Sequence, residues 1–233
     1  VKKQIKQAID EGIDHKFVVP ILASGLTINE DSSQIFIQHH QDAELTLDYQ
    51  SPREAVYLIE HDCVGMAQVQ GLLENQINSI MPGNVKGVEI KLRTEVIPGA
   101  YYHYSHGLKK HLGDCQRIAH GHRSAIEIYI NQQRQPDQET LLAETFRDIY
   151  IGSNEDIKRT FTEKKQSYWQ FSYQAEQGFF SITLNQNRCH LMHSDTTVEL
   201  IAEHLASRLA KKFPGQDIEV KAFEGVRKGA FAR

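Results

Sequence analysis

Tyr102-His103-Tyr104-Ser105-His106, followed beyond a polar loop bearing Cys115 by His120-Gly121-His122-Arg123-Ser124-Ala125-Ile126-Glu127-Ile128, reads as a β-hairpin. Side chains alternate faces along a strand, so His120 and His122 share one face while Gly121 leaves the other bare. An antiparallel partner ending at His106 would carry a third imidazole to that same face. Three neutral nitrogen donors with an open fourth position make up the donor set of a catalytic zinc, which polarises hydroxyl or carbonyl oxygens of a substrate. Imidazole ligation also suits iron and nickel. With 12 histidines in 233 residues, a lone His-x-His carries little weight. The weight comes from His106, Cys115 and the alternation after His122. Two other readings stay open. His103 would replace His106 if the register shifted, although in an ideal strand the two point to opposite faces. Cys115 as a fourth ligand would close the sphere into a structural Cys-His-His-His zinc without chemistry.

Outward from the hairpin, composition sets the bounds. The chain is 40% hydrophobic and 24% charged, ordinary for a globular protein, and its length allows one large or two small domains. No apolar run approaches a membrane span, and residues Val1 to Lys16 are too polar for a signal segment. A net charge of -4 with no basic stripe gives no electrostatic case for nucleic acid. Cys63, Cys115 and Cys189 form no disulfide framework, which fits a reducing cytoplasm.

Periodicity supplies the elements. Ile5, Ile9 and Ile13 mark an amphipathic helix ending near Gly12 that delivers Asp14 and His15 to a loop. Residues Gln34 to Tyr49 alternate as strands, interrupted at Pro52 to Glu54, and a helix runs from Val64 to Ile80, stopped by Pro82-Gly83. Val88 to Val96 reads as a strand, Asn131 to Thr140 as a polar connection, and the charged segment on to Gln166 as partly helical. Tyr168 to Tyr173 and Phe179 to Leu184 form a hairpin. Asp195 is expected to cap a helix reaching Phe213, and Ile218 to Phe223 to close the chain as a strand.

His106, Cys115 and His120-Gly121-His122, with the alternation that follows, resemble the 6-pyruvoyltetrahydropterin synthase and 6-carboxytetrahydropterin synthase family. Distant segments join them. Ile13-Asp14-His15-Lys16-Phe17 is similar to the family's Leu-Asp-His-Lys segment. Asp195-Thr196-Thr197-Val198-Glu199 is similar to its Thr-Thr helix start, and Val220-Lys221-Ala222-Phe223-Glu224 to its glutamate-bearing last strand. In a single-unit member the zinc hairpin precedes Asp-His-Lys, whereas here it follows. An internal repeat accounts for that order: Val56 to Asp62 resembles Cys189 to Asp195, and Lys91 to Ala100 aligns without a gap on Lys221 to Ala230.

The resemblance therefore implies an α+β protein of two fused T-fold (tetrahydropterin synthase-like) units, with antiparallel sheets carrying helices on one face and assembling into a barrel. The first unit spans 1–97 and reads as lacking its opening hairpin, and the second spans 98–233. The halves have divided the catalytic groups, since Thr94 stands in the first where Glu224 stands in the second. By resemblance His106, His120 and His122 hold Zn2+ and Cys115 acts as base, a role helped by the thiol-acidifying effect of a nearby cation. Asp14 orients His15, which exchanges a second proton. Read without the resemblance, that pair is an exposed helix terminus. Glu224 accepts hydrogen bonds from the amino group and ring N–H of a pterin. Thr196 and Thr197 add polar contacts, offset by one position because Val198 precedes Glu199. The implied reaction is zinc-dependent conversion of 7,8-dihydroneopterin triphosphate to 6-carboxy-5,6,7,8-tetrahydropterin, on the queuosine-precursor branch. The alternatives are triphosphate elimination to 6-pyruvoyltetrahydropterin and a T-fold protein that binds a pterin or purine without turnover. The implied partner is another copy of the chain, with a trimer of six units as the expected assembly.

Overall fold

The isoleucines spaced four apart do form a helix, α1 (Lys2–Gly12), in the computed structural model, which describes residues 1–233. Contacts divide the chain into two compact units, Val1–Thr94 and Glu95–Arg233. In the first, α1 leads through a turn at His15 (φ 54°) into β1 (Phe17–Pro20). Strands β2 (Leu26–Glu30), β3 (Gln34–Gln41) and β4 (Glu44–Pro52) form an antiparallel meander. A 3-10 turn at Arg53–Ala55 then feeds β5 (Val56–Ile59), which runs parallel to β1 and precedes helix α2 (Met66–Ser79).

The second unit opens with the hairpin β6 (Tyr101–His106) and β7 (His120–Ile130), with a short β8 (Gln133–Arg134) folded back on β7. Helix α3 (Pro136–Thr145) turns at Asp148 (φ 53°) into β9 (Ile149–Ser153). A meander of β10 (Ile157–Glu163), β11 (Gln166–Ala175) and β12 (Gly178–Asn185) follows. A 3-10 turn at Gln186–Arg188 leads into β13 (Cys189–Met192), parallel to β9, and then into helix α4 (Val198–Lys212). The hairpin β14 (Ile218–Glu224) and β15 (Lys228–Ala232) completes the sheet order β13-β9-β6-β7-β14-β15.

The two units thus repeat one order: helix, left-handed turn residue, short strand, three-stranded meander, 3-10 turn, parallel short strand, helix. The fold is α+β, as expected from the sequence. In the second unit α4 lies across one face of the sheet. Ile201, Ala202, Leu205, Ala206 and Leu209 pack with Tyr102, Tyr104, Ile126, Ile128, Val220 and Ala222. The strand residues are all even-numbered, as period-two alternation requires of one buried face. Each fully buried Leu or Ile stabilises by about 1.5–3 kcal/mol. The same face continues, past Tyr104, into the histidines.

Several sequence expectations need correction. Residues 88–96 join no sheet; the amide N–H groups of Val88 and Ile90 instead donate to Asn78 Oδ1 (2.9 Å) and Glu74 Oε1 (3.0 Å) on α2. The stretch Asn131 to Thr140 is not a mere connection, since it carries β8 and the first half of α3, and in the charged segment beyond it only the end of α3 and a 3-10 turn at Asn154–Asp156 are helical, most of the rest being β9 and β10. Glu139, buried at 1% exposure, fixes α3 to β7 by accepting from the Ile128 amide (3.0 Å) and Arg134 Nε (2.9 Å). Asp195 does not cap α4: Thr197 does, its Oγ1 accepting from Leu200 N at 3.4 Å, while Asp195 pairs with Lys110 (2.9 Å). Thr197→Ala should therefore lower stability by about 1 kcal/mol, read as a shift in the urea midpoint at unchanged slope. An unshifted midpoint would remove the cap.

Candidate metal centre

Antiparallel pairing of β6 and β7 sets His106 opposite His120 and Tyr104 opposite His122. Because all three histidines occupy even positions on the core-facing side, the register brings one ring nitrogen from each within 4.8 Å of the others. His106 is 0% and His120 3% exposed, and His122 is half-buried. His103 points away and is exposed, with its Nδ1 3.5 Å from Asp148.

The outer nitrogens show what the inner ones can do. His106 Nδ1 lies 2.9 Å from the Thr196 carbonyl and 3.1 Å from Thr196 Oγ1, and His120 Nδ1 lies 2.8 Å from the Arg117 carbonyl. A carbonyl only accepts, so both Nδ1 atoms carry the proton and both Nε2 lone pairs are turned inward. His106 Nε2 is buried without a hydrogen-bond partner. Desolvation, reinforced by His120 and His122, holds His106 well below its ordinary pKa and so in the neutral form a metal requires. Carbonyl-tethered imidazoles converging on one point are the usual outer support of a metal site. The three histidines therefore fit a metal ion, and a nitrogen donor set suits zinc.

Cys115 sits half-buried in the 3-10 turn Gly113–Gln116 of the loop between β6 and β7, its carbonyl accepting from Leu108 N (2.9 Å). The ligand cluster consists of the three histidines, and Cys115 is not among them. Glu224 ends β14 with its side chain 11% exposed and forms a short ion pair with Lys228 across the β14–β15 hairpin. The Lys228 ammonium is held above its ordinary range by that bond and by Glu224's charge, with a smaller contribution from Cys115. Tyr104, edge-on to His106 at 5.1 Å, has its phenol pushed up by burial and further by Tyr102 and Glu224. Glu224 thus pairs with Lys228 and adds to the burial that raises the Tyr104 phenol.

Thr196 is 2% exposed and committed to His106, while Thr197 is committed to the helix cap. Asp14 and His15 lie in the first unit, where Asp14 Oδ1 approaches His15 Nδ1 at 3.0 Å. Sequence reasoning missed the Thr196 tether, the Arg117 carbonyl and Lys228. Lys228 was hidden because Ile218 to Phe223 reads as the last strand. Its position four residues after Glu224, around Gly225, is the hairpin signal that points to it.

The sequence profile described as 6-pyruvoyl tetrahydropterin synthase matches residues 98–233, more than half of the chain. Similar solved structures include a catalytic-residue mutant of the 6-pyruvoyltetrahydropterin synthase of Plasmodium vivax, 14% identical over 57% of this chain and 90% of that one, with TM-score 0.40. Another is the 6-pyruvoyl tetrahydropterin synthase of Plasmodium falciparum, 12% identical over 57% of this chain and 90% of that one, with TM-score 0.41. No curated protein sequence matches. No helix is long and apolar enough to cross a membrane. With the profile covering the histidine hairpin, the cysteine loop and the closing glutamate strand together, the chain belongs to the 6-pyruvoyl tetrahydropterin synthase family.

Proposed function

We propose that the protein is a zinc-dependent lyase that converts 7,8-dihydroneopterin triphosphate and water to 6-carboxy-5,6,7,8-tetrahydropterin, acetaldehyde and triphosphate, the queuosine-precursor reaction. The observation that carries the proposal is the His106, His120 and His122 cluster with two Nδ1 protons tied to carbonyls. When bound there, zinc supplies Lewis-acid polarisation of the substrate's side-chain oxygens. Cys115 takes the first side-chain proton. What supports that role is that its loop is tied to Leu108 N through the Cys115 carbonyl and to His120 through the Arg117 carbonyl. Asp14 orients His15, which exchanges the second proton. Glu224 receives the pterin's amino group and ring N–H, and the carboxylate exchanges one donor, Lys228, for two. Thr196 and Thr197 serve the substrate site through the contacts they already make, Thr196 with His106 and Thr197 at the cap of α4.

The same early proton transfers serve 6-pyruvoyltetrahydropterin formation, in which triphosphate is eliminated and the carbon skeleton kept. That is the second reading, and the family profile supports it equally. A non-catalytic pterin- or purine-binding T-fold protein is the third. The enzyme is placed in the cytoplasm as a homo-oligomer, a trimer of tandem chains. The test is incubation of zinc-loaded protein with 7,8-dihydroneopterin triphosphate and mass analysis of products, alongside His15→Ala. Acetaldehyde with the 6-carboxy product is expected, and its loss in His15→Ala. Triphosphate with the 6-pyruvoyl product would select the second reading. Substrate returned intact by zinc-loaded protein would leave binding without turnover.

A further inference from the structure

Cys115 is flanked by residues that the β11–β12 turn grips. Asp114 Oδ1 accepts from Gln177 Nε2 at 2.8 Å, and Gln116 Oε1 accepts from the Gln177 backbone N–H at 3.2 Å. Gln177 lies in the turn between β11 and β12, so one residue of that turn holds both neighbours of the cysteine. Tyr173, near the end of β11, donates its hydroxyl to the Gln116 carbonyl at 2.8 Å. Gln116 is 3% exposed, and its amide also donates to the His111 carbonyl. Asp114 further receives Arg117 NH2 at 2.7 Å, and Arg117 carries the carbonyl that fixes His120. The loop is thus tied at one end to a metal ligand and along its middle to the β11–β12 turn.

The fit is close as well as polar. A Cβ on Gly107, the residue after His106, would stand 2.0 Å from the Tyr173 hydroxyl oxygen and 2.7 Å from Ile118 Cα. Only glycine lets the loop and Tyr173 approach this closely. Without Gln177 and Tyr173, the polar groups of residues 114 and 116 would turn to solvent and the 3-10 segment between them would lose two of its fixed points.

We infer that the β11–β12 turn is a clamp that sets the position of the Cys115 thiol relative to the three histidines, with Gln177 as its principal positioning residue and Tyr173 as its second. Gln177 acts through the two residues around the cysteine, to which its hydrogen bonds run. As a role for Cys115 in turnover, the inference rests on the lyase reading above. As a statement about the loop, it stands on the hydrogen bonds alone.

The experiment measures iodoacetamide labelling of each cysteine by peptide mass mapping in zinc-loaded wild type, Gln177→Ala, Gln177→Glu and Tyr173→Phe, together with kcat and KM. Part-buried Cys189, bonded to Asn185 O at 3.4 Å, reports general loosening, and exposed Cys63 reports reagent strength. In Gln177→Ala, Cys115 labelling is expected to rise roughly 10-fold with Cys189 unchanged, because only the local segment opens. Displacement of the thiol by about 1 Å should lower kcat on the order of 100-fold, with KM and zinc content held. Gln177→Glu, of the same size but with its carboxylate set against Asp114, should exceed Gln177→Ala in both readouts. Tyr173→Phe keeps the ring in the core and should show a smaller change of the same kind.

Equal labelling of Cys115 in all variants would overturn the clamp. So would a joint rise of Cys115 and Cys189, which would make Gln177 a general stability residue, or a Gln177→Glu protein indistinguishable from wild type, which would make it a filler. If wild-type protein turns over no pterin, the lyase reading fails separately, and the labelling pattern still decides the clamp.

Discussion

His122→Ala protein is expected to leave a zinc-saturated buffer with close to no bound metal, where wild type retains about one ion per chain, and to show no turnover. The reasoning starts from the strand. His122 is half-buried and stands on β7 between Gly121 and Arg123, with the β6–β7 ladder running through its backbone. Truncation removes a ring while leaving the ladder and the α4-covered core intact, so the hairpin should stay folded. Two tethered imidazoles remain, too few for a closed chelate, and Cys115 stands outside the cluster. His106→Ala would be a poorer choice, since that ring is 0% exposed and its loss would also leave a cavity and free the Thr196 carbonyl. His103→Ala, on the opposite face, should keep both metal and activity. Chelator treatment of wild type should reproduce the His122→Ala loss and be reversed by added zinc, which the variant's loss should not be. Full zinc retention by His122→Ala would sink the three-histidine site.

The same hairpin shows why this much was legible and other parts were not. His120 and His122 announce a shared face because a strand has a period of two, and His106 joins them through a register that the apolar alternation around it already selects. The recurring order of elements had a signal in two similar segments, Val56 to Asp62 and Cys189 to Asp195, each of which leads into a helix. What failed to show was structure whose sequence signal is local and weak. β9 is a five-residue strand with only three apolar residues, Ile149, Tyr150 and Ile151, enclosed by Arg147-Asp148 and Asn154-Glu155-Asp156. β10 carries lysine, arginine and glutamate along its length, composition that reads as part of a charged, partly helical segment. Charge on an edge is how sheets discourage further pairing, and it also masks the strand. Residues 88–96 failed in the opposite way. Their alternation is strand-like, but alternation specifies a strand only when a partner backbone is present, and here side chains of α2 take the amide protons. At the centre, ring nitrogens were legible as residue types, whereas the carbonyls of Thr196 and Arg117 that set their tautomers have no sequence signature at all. Every residue has a carbonyl, so only the fold reveals which ones matter.

Cys115→Ala separates a catalytic zinc from a structural one, and the expected result is full zinc retention with kcat lowered about 10²–10⁴-fold, the usual contribution of a positioned base. Were the thiol a fourth ligand, the same substitution would strip or weaken the metal and unsettle the hairpin. The arrangement favours the first outcome. The thiol is carried by a separate 3-10 turn, and the ring nitrogens converge without it. Truncating a half-buried thiol to a methyl group leaves little cavity, so stability should change by less than about 1 kcal/mol and the kinetic loss can be read without a folding correction. Zinc content by metal analysis and kcat by product formation are both needed. Retained zinc with unchanged kcat would move the proton transfer to another group, while lost zinc would close the coordination sphere around Cys115 and end the lyase reading. Cys115→Ser gives an internal scale: its hydroxyl fits the same space but ionises far less readily than a thiol, so it should keep zinc and fall close to Cys115→Ala in rate. A serine variant as active as wild type would mean that the group at 115 contributes hydrogen bonding rather than base strength.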